Sequence, residues 1–316
     1  MKDLKESQYI FNPPAPLNTP VLFLVFNRPE TTSKVFETIQ QAKPPRLYVA
    51  ADGPREKIKG EVGKARRVRE IATQVDWECE VKTLFRDENL GCKVAVSSAI
   101  DWFFENEEEG IILEDDCVPH PSFFPFCQEL LDRYRNDERI SMIGGINFQF
   151  GQKRGLASYY FSKYNHIWGW ASWRRSWEDY DVSMQKWPIL RDTNWLTGYL
   201  KSWSMARFWS RRFEKAYAGK IDTWDYQWFL ACWVASRLTI VPNTNLISNI
   251  GMHDEATHTT NKKSKLADMK TEALTFPLCH PTHIFCDKKA DTFYEHKVLN
   301  NNFINIALRE IFSIFR

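Results

Sequence analysis

Along the first 145 residues, short apolar runs alternate with stretches whose apolar positions recur at helical spacing. Pro20-Val21-Leu22-Phe23-Leu24-Val25-Phe26 is continuously apolar and stops at Asn27-Arg28-Pro29, the pattern of a strand covered on both faces, as in a parallel sheet. Glu30-Thr31-Thr32 opens a helix to about residue 41, and residues 46–51 form a second strand that ends at Asp52-Gly53-Pro54. Residues 55–70 alternate in charge sign and predict an exposed helix rather than a phosphate site. Residues 81–86 are a third strand, 92–105 a helix with Val94, Ala95, Ala99, Trp102 and Phe103 at helical spacing, and 111–113 a fourth strand. Residues 123–134 are again helical, and 140–145 a buried strand that closes the sheet. Strands alternating with helices predict an α/β fold with a doubly wound, mostly parallel sheet.

Beyond residue 150 the alternation fails. Tyr164-Asn165-His166-Ile167-Trp168-Gly169-Trp170-Ala171-Ser172-Trp173 is too aromatic and too glycine-interrupted for a regular element. Residues 174–180 and 190–220 read as helical, and 221–228 as the start of a helix capped by Asp222 or Thr223. Residues 238–242 are a last strand, and 250–259 a polar loop with two histidines. The tail places Asn302, Asn305, Arg309, Ser313 and Arg316 near one stripe of a helix beside a broad apolar face, which either lies on a membrane surface or docks on its own domain or a second subunit.

The chemistry concentrates where the fourth strand stops, at Glu114-Asp115-Asp116, followed by Cys117-Val118-Pro119-His120-Pro121, whose prolines end the strand. Adjacent carboxylates repel one another unless they share a cation, and an all-oxygen site suits Mg²⁺ or Mn²⁺ with water and phosphate filling the remaining positions. The plain alternative is a solvated acidic turn. A second acid at a helix start, Asp225, is either a base held by backbone N–H groups or a simple capping residue, with Asp254 and Glu255 in reserve.

Composition narrows the classes. A net charge of +2 over 316 residues gives no field for nucleic acid. Thirteen tryptophans either fill a core or offer flat faces for sugars or bases. Seven cysteines without a C-x-x-C pair argue against a disulfide framework and a thiolate zinc site, and read as reduced. The charged N-terminus carries no signal-like apolar core, and no run approaches the roughly 20 apolar residues of a membrane span. The expectation is a cytoplasmic protein, peripheral at the inner face of the plasma membrane if the tail binds lipid.

Taken together, Glu114-Asp115-Asp116 with Pro121-Ser122-Phe123-Phe124, Trp168-Gly169-Trp170, Trp187-Pro188 and Trp224-Asp225 with Trp228 resemble the GT-A glycosyltransferases, and among them the N-acetylglucosaminyltransferase I-like group. The likeness spans roughly residues 19–260. It implies a GT-A fold with an N-terminal arm over 1–18, a nucleotide-sugar-binding half over 19–150, a Trp-rich acceptor-binding and catalytic half over 151–265, and an extension over 266–316. It implies transfer from a UDP-sugar donor to a saccharide or lipid-linked saccharide acceptor in bacterial surface-glycan synthesis, dependent on Mn²⁺ or Mg²⁺ and inverting. Asp116 then ligates the metal, joined by His253. Glu114 and Asp115 meet the donor's hydroxyls, Asp52 the uracil, Asn27, Arg28 and Lys93 the rest of the nucleotide. Asp225 is the base, and Trp168, Gly169, Trp170 and Trp224 face the acceptor. The competing expectations are a sugar nucleotidyltransferase, which would want a glycine-rich loop after the first strand, and a carbohydrate-binding module without turnover.

Overall fold

Val21, Phe23 and Val25 project to one face of the first strand, β1 (Val21–Val25), and Leu22 and Leu24 to the other. Both faces are covered by core, which is why the run tolerates no polar residue. The computed structural model describes residues 11–251 and 266–299. After β1 follow α1 (Pro29–Ala42), β2 (Arg46–Ala51), α2 (Glu61–Ala72), β3 (Glu80–Phe85), α3 (Gly91–Asn106) and β4 (Glu109–Glu114). These four strands are parallel in the order β3-β2-β1-β4. Helices α1 and α2 cover one face through Val35, Phe36, Ile39, Val68 and Ile71, and α3 covers the other through Ile100, Phe103 and Phe104. The chain therefore reverses its direction of growth at β1, and the crevice beyond the carboxyl ends of β1 and β4 is the topological switch point where open α/β sheets bind ligands.

The second half adds β5 (Cys117–Pro119), α4 (Phe123–Tyr134), β6 (Ile140–Gly144), β7 (Tyr159–Ser162), β8 (Trp170–Trp173), α5 (Arg174–Trp177), α6 (Trp187–Arg191), α7 (Trp195–Leu200), α8 (Trp203–Tyr217), α9 (Asp225–Val234), β9 (Leu238–Pro242), β10 (Ile247–Asn249) and α10 (Lys288–Tyr294), which runs into a π-helical turn (Glu295–Leu299). The main sheet is eight-stranded, β3-β2-β1-β4-β8-β6-β9-β7. Among the described residues four of its seven pairings are parallel: β1 with β2 and β4, β2 with β3, and β6 with β9. The expected α/β, mostly parallel sheet is present. No described helix is long and apolar enough to cross a membrane.

Four expectations are corrected. The aromatic segment ends in a strand, β8, inserted antiparallel between β4 and β6. Consequently β6 is interior, and β7 rather than β6 ends the sheet. Pro119 does not abolish pairing after the acids: Cys117–Pro119 pairs with Ile247–Asn249 in a separate two-stranded sheet. The exposed helix begins only at Glu61, whose side chain is buried on Arg55 and Asn27. The C-terminal tail helix and His253 lie outside the described residues.

Most of the tryptophan surplus is core. Trp170 is fully buried, with its ring 5.7 Å from Trp224 at 19° and 5.8 Å from Trp228. Trp177 continues the stack, 5.1 Å from Trp228 and 4.2 Å from Tyr180. Offset stacks of this kind add packing energy beyond the area they bury, and this one fastens α3, β8 and α9 together beneath the crevice.

Candidate functional site

The turn after β1 places Arg28 before Pro29, whose fixed φ starts α1 at once. The Arg28 side chain swings across to β4, where Nη1 donates to Asp116 Oδ2 at 2.9 Å and Nη2 to Asp115 Oδ1. Asp115 also accepts the Phe26 N–H at 3.3 Å and is 2% exposed. Asp116 is braced by the second sheet: Asn249 Nδ2 lies 3.4 Å from its Oδ1, and Ile250 N–H donates to its carbonyl at 2.9 Å. Gly251 passes so close that a Cβ there would sit 2.0 Å from Asp116 Oδ2 and 2.8 Å from Arg28 Nη1, so any larger residue would displace this ion pair.

Three carboxylates thus face one guanidinium. Burial, followed by repulsion from Asp116 and Asp115, pushes Glu114 well above the usual carboxylate range. Burial raises Asp115 too, against the pull of Arg28. A divalent cation fits this donor set on chemical grounds: the oxygens are hard, and the negative charge is only partly neutralised. No group of three His, Cys, Asp or Glu side chains among the described residues is arranged as a metal centre, so the fit is to an ion that draws most of its ligands from water and phosphate.

These residues border a cavity of about 780 Å³, of which Arg28, Asp52, Glu114, Trp168, Arg212 and Asp225 mark the extent. The volume is that of a ligand pocket. Asp225 is the first residue of α9, with Thr223 Oγ1 donating to its Oδ1. Its charge acts on Glu114, so the acids at the end of β4 and the acid that opens α9 share one space. Cys92, at the start of α3, lies in the field of Glu114, Asp222, Asp225 and Asp52, and burial together with these acids keeps its thiol protonated.

The remaining expected site residues fall in three groups. Asp52 is at the crevice, but its carboxylate already accepts Gly53 N–H at 2.9 Å, Leu90 N–H at 2.9 Å, Gly91 N–H at 3.2 Å and Asn89 Nδ2 at 2.9 Å. A carboxylate has about four acceptor positions, so Asp52 ties the end of β2 to the loop that opens α3. Asn27 turns away to Glu61 Oε2 at 2.9 Å. Lys93 contributes its backbone N–H to Asp222. Of the residues expected to face an acceptor, Trp168 and Trp224 line the cavity, Trp224 with only 2% of its surface open. Trp170 lies in the stack beneath, and Gly169, at φ +61°, packs where a Cβ would meet Ile247 Cδ1 at 2.4 Å.

Several site-building residues escape sequence reasoning. Asp222 does not cap its own helix, whose N-cap is Trp224. It accepts the Cys92 and Lys93 N–H groups at 2.8 and 2.9 Å and so caps α3, 130 residues earlier. Arg55 leaves the exposed stretch to pair with Glu61 at 2.6 Å and lies over Phe26 at the cavity edge. Arg86, Asn249, Gly251, His166 and Arg212 also border the cavity, and nothing in their local sequence marks them.

No protein-family model matches the chain, and no curated protein does. Solved structures match it at low similarity. HddC from Yersinia pseudotuberculosis is 10% identical with a TM-score of 0.31, over 51% of this chain and 80% of that one. UDP-glucose pyrophosphorylase complexed with UDP-glucose is 10% identical with a TM-score of 0.31, over 52% and 79%. An apo UDP-glucose pyrophosphorylase is 9% identical with a TM-score of 0.36, over 74% and 93%. Likeness at this level carries no inference about activity.

Proposed function

We propose that the chain is a metal-dependent glycosyltransferase that moves a sugar from a UDP-sugar to a saccharide hydroxyl with inversion. One observation carries the reading: the acids that end β4 and the Asp225 carboxylate that begins α9, far apart in sequence, border the same ligand-sized cavity at the switch point of the sheet. Sugar transfer from a nucleoside diphosphate asks for both, because the departing diphosphate needs its charge neutralised and the attacking hydroxyl must lose a proton. Asp116, with Glu114 beside it, would hold Mn²⁺ or Mg²⁺, and that ion supplies the neutralisation when bound. Arg28 fixes Asp115 and Asp116 in position. Asp52 and Asp222 hold the α3 entrance in shape. Asp225, oriented by Thr223, takes the acceptor's proton, and Trp168 offers its ring to the acceptor sugar.

A second reading is nucleotidyl transfer to a sugar phosphate, which the same parallel half-sheet and terminal acids would also serve. The turn after β1 supports sugar transfer over it: Asn27-Arg28-Pro29 has no glycine, and its arginine is held by acids rather than freed for a triphosphate.

The test is titration calorimetry with UDP, with and without Mn²⁺, on the native protein and Asp116→Ala, followed by turnover assays. The expected result is UDP binding that needs Mn²⁺ and disappears in Asp116→Ala, with UDP released from a UDP-sugar and a loss of about 10²- to 10⁴-fold in Asp225→Asn. Pyrophosphate release from UTP and a sugar 1-phosphate would move the assignment to nucleotidyl transfer. No nucleotide binding by folded protein would leave the carbohydrate-binding module.

A further inference from the structure

Arg212 stands on α8 and borders the same cavity as Arg28. Its guanidinium stacks on the Phe208 ring, 3.3 Å from the centroid, and Nη1 reaches the Phe208 carbonyl at 3.4 Å. Arg237, with a largely buried side chain, has by contrast Asp179 at 2.6 Å. Arg212 hydrogen-bonds the Tyr226 hydroxyl and feels the charge of Asp225, but no carboxylate among the described residues closes to an ion pair with it, and it borders the cavity. An arginine keeps its charge under all ordinary conditions, and a largely buried guanidinium is best offset by an anion in direct, bidentate contact.

The surroundings of Arg212 carry the same bias towards donors. Trp209 and Asn165 border the same cavity at 3% and 2% exposure, and Trp209 Nε1 and Asn165 Nδ2 have no hydrogen-bond partner among the described residues. The acceptors in the field of Arg212 are the Tyr226 and Tyr294 hydroxyls and the Asp225 carboxylate. Burial also holds the Arg212 pKa below the ordinary arginine value, whereas the hydrogen-bonded acids of Arg46 and Arg55 raise theirs.

Resting on the sugar-transfer reading, we infer that the acceptor is an anionic saccharide, whose carboxylate or phosphate docks on Arg212 in the aromatic end of the cavity. A planar guanidinium takes either group through two parallel N–H···O bonds. The stacked Phe208 fixes the plane of that fork, so recognition depends on arginine itself and not only on positive charge.

The experiment titrates three probes into the native protein in the presence of UDP and Mn²⁺: methyl glucuronide, glucose 6-phosphate and neutral methyl glucoside. The anionic probes are expected to bind at least tenfold more tightly than methyl glucoside, and the tighter of the two identifies carboxylate or phosphate as the natural group. Arg212→Met should erase the preference, and Arg212→Lys should weaken the anionic probes severalfold while leaving the neutral one as in the native protein. Near-UV circular dichroism certifies the fold of each variant, and Arg212→Lys alone decides if Arg212→Met does not fold. Equal binding of all three probes, binding of none, or a preference that survives both substitutions would overturn the inference. UDP binding in the same titration separates the failures: UDP bound without an anion preference removes the anionic acceptor only, and no UDP bound removes the transferase reading together with it.

Discussion

On the side of the cavity built from the ends of β1, β2 and β4, polar atoms are bonded almost to capacity: Asp52 holds four partners, Asp222 two backbone N–H groups of α3, and Asp115 both Arg28 and Phe26. On the side built from β8, α8 and α9 the wall is aromatic, and buried donors such as Trp209 Nε1 and Asn165 Nδ2 have no hydrogen-bond partner among the described residues. One wall is held by directional bonds, the other by shape. The difference predicts what each residue does when removed. On the first wall a lost group frees backbone donors and opens a loop, and on the second it leaves a void.

The largest effect is expected from Trp170→Ala. The ring is fully buried in the stack with Trp224 and Trp228, and its loss should cost about 3–5 kcal/mol in urea unfolding. A cost below about 1 kcal/mol would mean that the aromatic wall is not held by packing.

A smaller effect concerns His166, buried between Phe148 and Tyr294 at ring distances of 5.0 and 4.8 Å. Burial lowers its pKa from 6.5 to about 3. The unfolded chain therefore takes up a proton that the folded chain refuses. The stability tied to His166 is full above pH 6.5 and is lost as the pH falls towards 3, at up to about 1.4 kcal/mol per pH unit. Comparing unfolding free energies of the native protein and His166→Leu between pH 6.5 and 4.5 should show a steeper decline in the native protein by about 2 kcal/mol. Parallel slopes would place a compensating acid beside the ring.

The smallest effect belongs to the bonded wall. Asp222→Ala removes the two acceptors at the start of α3 and should cost about 1 kcal/mol. Amide exchange should accelerate at Cys92 and Lys93 and stay unchanged in the middle of α3. Uniform acceleration along the helix would mean that Asp222 supports packing rather than the helix end.

How much of this was legible beforehand follows from the range of each interaction. The runs of β1, β2 and β4 are readable because burial on both faces forces apolar residues at every position, and α4 because its apolar face repeats at helical spacing. The acids after β4 and Arg28 could be placed together because neighbouring parallel strands end side by side. Strand β8 was hidden because Trp170 and Trp173 serve a core formed by other aromatics, not an alternating surface. The function of Asp222 was invisible because a cap is ordinarily read against the helix that follows it, whereas this one acts through space on a helix 130 residues away. Asp52 shows the converse: an acid before Gly53-Pro54 is conspicuous in sequence, yet its carboxylate is taken up by the chain itself.

The small sheet joining Cys117–Pro119 to Ile247–Asn249 has a consequence for how the protein comes into being. Asp116 emerges from the ribosome with its own strand, but Asn249 and Gly251 follow more than 130 residues later. At about 5–20 residues per second, translation leaves the acidic triplet without its covering segment for roughly 7–30 seconds. During that interval the nascent half has the β1, β2 and β4 ends but neither the Asp222 cap nor the glycine wall. The centre is therefore finished long after its acids are made, only once residues 249–251 have followed.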